Sequence, residues 1–79
     1  MSGAVVSRAL RDRFESIRQS EVERLERKLR RLSADERQIV EAITAEVVAA
    51  IACAPAERLA DEGSEPALDA VVRLFALDF

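Results

Sequence analysis

Several residue types that build functional sites are absent or nearly absent from this sequence. Its 79 residues include no histidine, tryptophan or tyrosine, and only three phenylalanines, two glycines, two prolines and one cysteine. Without histidine there is no His/Cys metal site and no histidine-activated nucleophile. The single cysteine, Cys53, forms no internal disulfide. Gly3 and Gly63 lie too far apart to form a phosphate-binding loop.

The reactive side chains that remain have structural explanations. Cys53 lies in an alanine-rich stretch that disfavours the reactive thiolate, so we expect a small buried hydrophobic residue. The pairs Asp35/Glu36 and Asp61/Glu62 are expected at helix ends and on solvated surface, because a general acid needs a pocket. We therefore predict no catalytic, cofactor-binding or metal-binding residue, and no enzyme activity of this chain alone.

Helix-forming residues dominate what is present. The chain is 49% hydrophobic and 34% charged, rich in Ala, Leu, Arg, Glu and Val, and shows no strand alternation or internal repeat. A domain of this size is marginally stable alone, and with disulfides and metals excluded, oligomerisation is the remaining source of stability. The predicted fold is all-α, a small helical bundle with a long first helix, completed by homodimerisation.

Four helical segments are predicted, at about residues 4–31, 34–54, 55–61 and 65–76. The first helix carries a narrow apolar stripe and is about 40 Å long, so part of it projects beyond any core that one chain can build. Ser33 and Glu36 form a capping box that begins the second helix, and Pro55 breaks or kinks it. Gly63 is expected in a left-handed conformation, and Ser64 caps the last helix.

The second helix is apolar on nearly all sides. From residue 42 to residue 56 only Thr44 and Glu46 are strongly polar, so more than one side must be covered, and a second chain must supply some of that cover. The same run is too short and too polar to span a bilayer, which favours a cytoplasmic protein. The predicted dimer interface comprises Ile39, Ile43, Val47, Ala50, Ile51, Leu68, Val72 and Phe75.

Charge is unevenly distributed. Residues 8–31 carry nine basic and five acidic side chains, whereas residues 32–79 carry three basic and ten acidic ones. Opposite halves attract each other, either within one chain or between two. An RNA-binding accessory role for the first helix is an alternative, but acidic residues are interleaved there and the net charge is −3, so no direct nucleic-acid binding is expected.

An ordered set of residues spans nearly the whole chain and carries a family resemblance. The set comprises Ala9-Leu10-Arg11, Glu15, Ile17-Arg18, Glu21, Arg24, Lys28-Leu29, Leu32-Ser33, Glu36, Val40-Glu41, Ile43-Thr44, Val47-Val48, Pro55, Leu59 and Leu74-Phe75-Ala76-Leu77-Asp78. In this pattern the chain resembles the C-terminal dimerisation domain of glutamyl-tRNA reductases.

The resemblance implies a scaffolding role. Such enzymes reduce glutamyl-tRNA with NADPH on the route to tetrapyrroles, and the C-terminal helices of two subunits pack together to hold two reductase arms. The catalytic cysteine and the NADPH site belong to other domains, so no cofactor is expected here. Ala49, Ala50 and Cys53 stand where the family typically has polar residues. The alternative function is a free-standing helical adaptor or regulator that binds a partner protein through the same apolar face.

Overall fold

The computed structural model describes residues 2–79, and within that range the chain is helical and forms no strand. Its elements are α1 (Gly3–Arg24), α2 (Glu26–Leu29), α3 (Ala34–Glu62) and α4 (Glu65–Leu74). α1 and α3 form a long antiparallel hairpin, and α4 packs against α1 near its open end. The radius of gyration is 15.1 Å, against about 12 Å for a globular chain of this length. The predicted all-α class and long first helix are confirmed.

The first helix is shorter than the sequence predicts. α1 ends at Arg24, Leu25 takes φ −89° and ψ 5°, and a single turn, α2, follows. The apolar stripe shifts by one residue at Glu21/Val22, and the irregular residue lies just after this shift. Leu25 and Leu29 are half-buried, so the break turns apolar side chains back toward α3.

The predicted end of the second helix at Pro55 is wrong. α3 continues from Ala34 to Glu62 with Pro55 inside it, and it absorbs the predicted separate segment at 55–61. An internal proline costs a helix roughly 3 kcal/mol. Packing offsets that cost, because Ala52 and Ala56 on either side are buried and the start of α1 packs against α3 beyond the proline.

Both predicted N-caps are confirmed. The Ser33 hydroxyl accepts the Glu36 N–H at 3.1 Å, and the Glu36 carboxylate accepts the Ser33 N–H at 3.0 Å. The Ser64 hydroxyl accepts the Ala67 N–H at 3.4 Å. Each cap satisfies a backbone donor that would otherwise lack a partner at a helix start.

Gly63 serves close packing, so the predicted left-handed conformation is wrong. Its φ is −65° and its ψ is 113°. A Cβ at this position would lie 2.9 Å from Cδ2 of Leu68 and would also collide with the carbonyl of Leu59. Gly3 has a similar role, because a Cβ there would collide with the α3 backbone at Leu59 and Ala60. Both glycines let segments approach at the open end of the hairpin.

The buried core occupies that open end. Val6 and Leu10 from α1, Ala52 and Ala56 from α3, and Leu68 from α4 are each at most 2% exposed. The rings of Phe14 and Phe75 pack with centroids 5.5 Å apart at a tilt of 52°, which ties the end of α4 to α1. The closed end of the hairpin lacks such a third layer.

A strained residue ends α4 and gives a stability prediction. Ala76 has a φ of 51°, while the Leu77 N–H donates to the Val72 carbonyl at 2.9 Å and the Ala76 N–H to the Arg73 carbonyl at 3.4 Å. Glycine favours this left-handed position of a Schellman motif. We expect Ala76→Gly to raise the free energy of unfolding by about 0.5–1 kcal/mol in urea titrations. Ala70→Gly, inside α4, is the control and should lower it by about 1 kcal/mol; equal losses in both variants would contradict the prediction.

Candidate functional site

The most unusual surface of the molecule is an apolar row on the outer side of α3. Ile39, Ile43, Val47 and Ile51 recur every four residues, and each is between 51% and 59% exposed. Residues at this spacing lie on one helix face. We call these four residues the exposed row. Ala50 and Ala54 are exposed beside it, and their small side chains leave room for close approach by another helix.

The total surface area is also large for a chain of this size. The accessible surface is 5920 Å², whereas a compact monomer of this mass exposes about 4,700 Å². The excess, about 1,200 Å², exceeds the roughly 800 Å² that each partner contributes to a standard protein–protein interface. The elongated shape, 47 × 19 × 13 Å, accounts for it: much of α3 has a neighbour on one side only.

A groove adjoins the exposed row between α1 and α3. It encloses about 380 Å³ and is almost entirely apolar. We call it the α1–α3 groove; it is lined by Phe14, Ile17, Arg18, Glu21, Val22, Leu25, Ile43, Thr44, Val47 and Val48. Ile43 and Val47 belong both to this groove and to the exposed row, so the two form one continuous apolar surface. Such a surface suits a helix laid along it.

A polar cluster fixes the spacing of the groove walls. The Arg18 guanidinium donates two hydrogen bonds to Glu15, one of them between Nε and Oε2 at 2.9 Å. Across the hairpin, its Nη1 donates to Glu41 Oε2 at 2.9 Å and to Thr44 Oγ1 at 3.1 Å. The Thr44 hydroxyl in turn donates to the Val40 carbonyl at 2.9 Å. The Arg18 side chain is only 8% exposed, so these partners satisfy a largely buried cation and join α1 to α3.

Hydrogen bonding shifts the pKa values of Glu15, Arg18 and Glu36. Arg18 lowers the pKa of Glu15 chiefly through its hydrogen bonds, and Glu15 raises the pKa of Arg18 in the same way. The pKa of Glu36 is lowered, first by the backbone N–H of Ser33 and then by its hydroxyl. All three shifts favour the charged forms seen in the folded chain.

The lowered carboxylate pKa values predict acid sensitivity. Because Glu15 and Glu36 have folded-state pKa values below their ordinary 4.5, the stabilisation is fully present above that value and is lost as pH falls through the folded values. We expect the urea midpoint to fall between about pH 5 and pH 3. Glu15→Gln should flatten this acid limb in the same titration. A Glu15→Gln chain with the full acid loss would contradict the assigned cause.

The structure separates the predicted interface residues into two groups. Ile39, Ile43, Val47, Ala50 and Ile51 lie together on the exposed outer side of α3. The three predicted residues of the last helix lie elsewhere, near the open end. These residues are Leu68, Val72 and Phe75, and their side chains are buried or half-buried within their own chain. The interface itself stays a prediction, now centred on α3.

The sequence predicts pairing mainly through the second helix with help from the first and the last, but the predicted interface residues include none from α1. Ile17, Val22 and Leu25 line the α1–α3 groove, although their spacing in the sequence predicts only that they share a narrow apolar stripe. Ile17 is 42% exposed, so it is free to contact a partner. The narrowness of that stripe was the indication that α1 takes part in an interface, because a narrow stripe is typical of a helix that packs along a seam. The Arg18–Glu41 pair joins residues far apart in sequence, and no local pattern predicts it.

Two other features of the described residues offer no catalytic arrangement. A cavity of about 370 Å³ near the open end is lined mainly by apolar residues, with Arg58 and Glu62 at its edge. Cys53 is half-buried rather than fully buried as predicted, and its thiol donates to Glu57 at 3.3 Å. No cluster of three or more His, Cys, Asp or Glu side chains among residues 2–79 is arranged to hold a metal ion.

The expectation that no segment could span a bilayer is too strict. Within residues 2–79, α3 is long and apolar enough to cross a membrane by length and composition. This is weak support for insertion, because α1 lies along α3 and its charged outer side would enter the hydrocarbon as well. Glu41 and Glu46 also lie within the apolar stretch and are exposed.

Comparison with known proteins identifies the domain. The family model for the glutamyl-tRNAGlu reductase dimerisation domain matches residues 4–77, which includes all of α2, α3 and α4 and nearly all of α1. No curated protein and no solved structure was found to match the chain. The matched range contains the exposed row and the α1–α3 groove in full. The chain therefore belongs to the family of glutamyl-tRNA reductase dimerisation domains.

Proposed function

We propose that this chain is a homodimerisation module that holds two subunits of an NADPH-dependent glutamyl-tRNA reductase in a fixed relation. The observation that carries the proposal is the exposed row, whose four large side chains are each more than half exposed in their own chain. Burying apolar surface of this kind contributes about 25 cal/mol per Å². Two copies that share their rows therefore remove much of this unfavourable exposure.

The chemistry of the parent enzyme lies outside this segment. In the proposal, NADPH and the catalytic cysteine belong to other domains, and the present chain contributes position rather than reacting groups. The parent acts in the cytoplasm, on the route to tetrapyrroles. The charged outer side of α1 and the two glutamates within the apolar part of α3 support a protein partner over lipid as the cover for the exposed row.

Sedimentation velocity tests the proposal directly. The chain is expected to sediment as a dimer at micromolar concentration and to dissociate on dilution, with one mass-action equilibrium describing all concentrations. A compact monomer that keeps its helicity at about 100 μM would contradict self-association. Stable co-purification with a different protein in place of a second copy would favour the adaptor alternative.

A further inference from the structure

The antiparallel hairpin sends two oppositely charged segments to opposite ends of the molecule. The basic segment, residues 24–31, has five basic side chains and one acidic one and forms the closed end. The acidic segment, residues 57–62, has three acidic side chains and one basic one and lies at the end of α3. α3 has 29 residues and is about 43 Å long. Within one chain the two segments are therefore too far apart to attract each other.

We infer that two copies pair antiparallel along α3, so that the basic segment of each lies beside the acidic segment of the other. This inference rests on the proposed self-association and adds the orientation of the partner. The exposed row runs from Ile39 to Ile51. When two rows run in opposite directions about a twofold axis, Ile43 of one copy faces Val47 of the other, and the rows overlap along their whole length.

The α1–α3 groove lets the partner helix touch both elements of the hairpin. The partner's α3 then runs parallel to α1, because α1 is itself antiparallel to α3. Contacts of Gly3 with Leu59 and of Arg18 with Glu41 and Thr44 fix the register of the hairpin. With that register, the groove-lining part of α1 faces the exposed row of the partner, and the basic segment faces the partner's acidic segment.

Side-chain positions on the two faces agree with this pairing. Lys28 is exposed in α2, the single turn that follows the groove-lining Leu25 at the closed end. Glu57 and Asp61 follow the exposed Ala54 by three and seven residues, which keeps them on the side of the exposed row.

A parallel arrangement of the same apolar surfaces is disfavoured by charge. It would place the two basic segments beside each other and the two acidic segments beside each other, and like charges at an interface oppose association. In the antiparallel arrangement each basic segment lies beside an acidic segment, so both contacts are attractive. Charge complementarity therefore selects the orientation, while the exposed row and the groove supply the apolar area.

Charge exchange between the two segments tests the orientation. Arg27→Glu/Lys28→Glu/Arg31→Glu changes the net charge of residues 24–31 from +4 to −2, and Glu57→Lys/Asp61→Lys changes that of residues 57–62 from −2 to +2. Each variant alone should weaken the dimer by about tenfold at low salt. The chain that carries all five substitutions should recover most of the original affinity, and an equimolar mixture of the two variants should form a heterodimer. Circular dichroism at each step checks that helicity is retained.

The outcomes separate the orientation from the proposed function. A dimer that neither variant weakens would overturn the antiparallel pairing and leave the dimerisation role intact. An unsubstituted chain that stays monomeric would overturn both. Disulfide cross-linking is independent of charge: in Cys53→Ser chains, Ile39→Cys of one copy should form a disulfide with Ile51→Cys of the other, and none with a second Ile39→Cys. A disulfide between two Ile39→Cys chains would indicate parallel pairing and overturn the inference.

Discussion

Val47→Glu is expected to weaken self-association by a hundredfold or more, leaving a helical monomer or a partly unfolded chain. Val47 lies in the exposed row and lines the α1–α3 groove, so a second copy that covers either surface must bury it. Moving an unpaired carboxylate into an apolar interface costs several kcal/mol, and each 1.4 kcal/mol is a factor of ten in the dissociation constant. Sedimentation equilibrium across a dilution series measures the change.

Gln38→Glu is the matched control for this prediction. Gln38 is exposed on the same helix, nine residues and therefore two and a half turns from Val47, which directs it to the opposite side. The substitution adds the same charge with almost no change in shape. We expect its dimer affinity to stay within a few-fold of the original. A Val47→Glu chain that dimerises as tightly as Gln38→Glu would remove α3's outer side from the interface.

Leu68→Ala is expected to lower the free energy of unfolding by about 2–5 kcal/mol. Leu68 is 1% exposed and is one of the two largest fully buried side chains in the described chain. It packs beside Gly63 at the start of α4, so its truncation leaves a cavity where α4 meets the rest of the core. Urea unfolding at one fixed protein concentration measures the loss, because dimer stability depends on concentration.

Leu74→Ala is the matched control, because it makes the same substitution on the same helix at an exposed position. Leu74 is 77% exposed, and we expect its truncation to change the unfolding free energy by less than about 0.5 kcal/mol. Equal effects at the two positions would mean that α4 does not dock as the structure has it. Because Leu68 is covered by its own chain, its loss should act on folding first and on dimer affinity only through folding.

Helix starts were predictable because their causes are local. Ser33, Glu36 and Ser64 lie within one turn of the backbone groups that they satisfy, and Pro66 fits the first turn of α4. A short window of sequence therefore contains the whole interaction. Helix ends were less predictable. Pro55 lacks the N–H that continues a helix, yet α3 runs through it because packing against α1 outweighs the local cost.

The candidate site was predictable in part. Its α3 component followed from composition, because an apolar surface around a whole helix exceeds what the two other main helices of one chain can cover. The α1 component and the Arg18 cluster did not follow, since they depend on which residues of two distant segments come level in the hairpin. Leu68 illustrates the same limit: periodicity marks it as apolar-facing but does not distinguish a core position from an interface position.

The sequence alone determined the all-helical class, the capped starts of α3 and α4, the lack of histidine chemistry, and the excess of apolar surface on α3. These properties depend on residue type and on neighbours within a few positions. Tertiary structure decided the continuity of α3 through Pro55, the close approach at Gly63, the hydrogen bonds of Arg18 across the hairpin, and the division of apolar residues between core and exposed row. Each of these is a balance between segments far apart in the chain, and only their packing in three dimensions sets which term is larger.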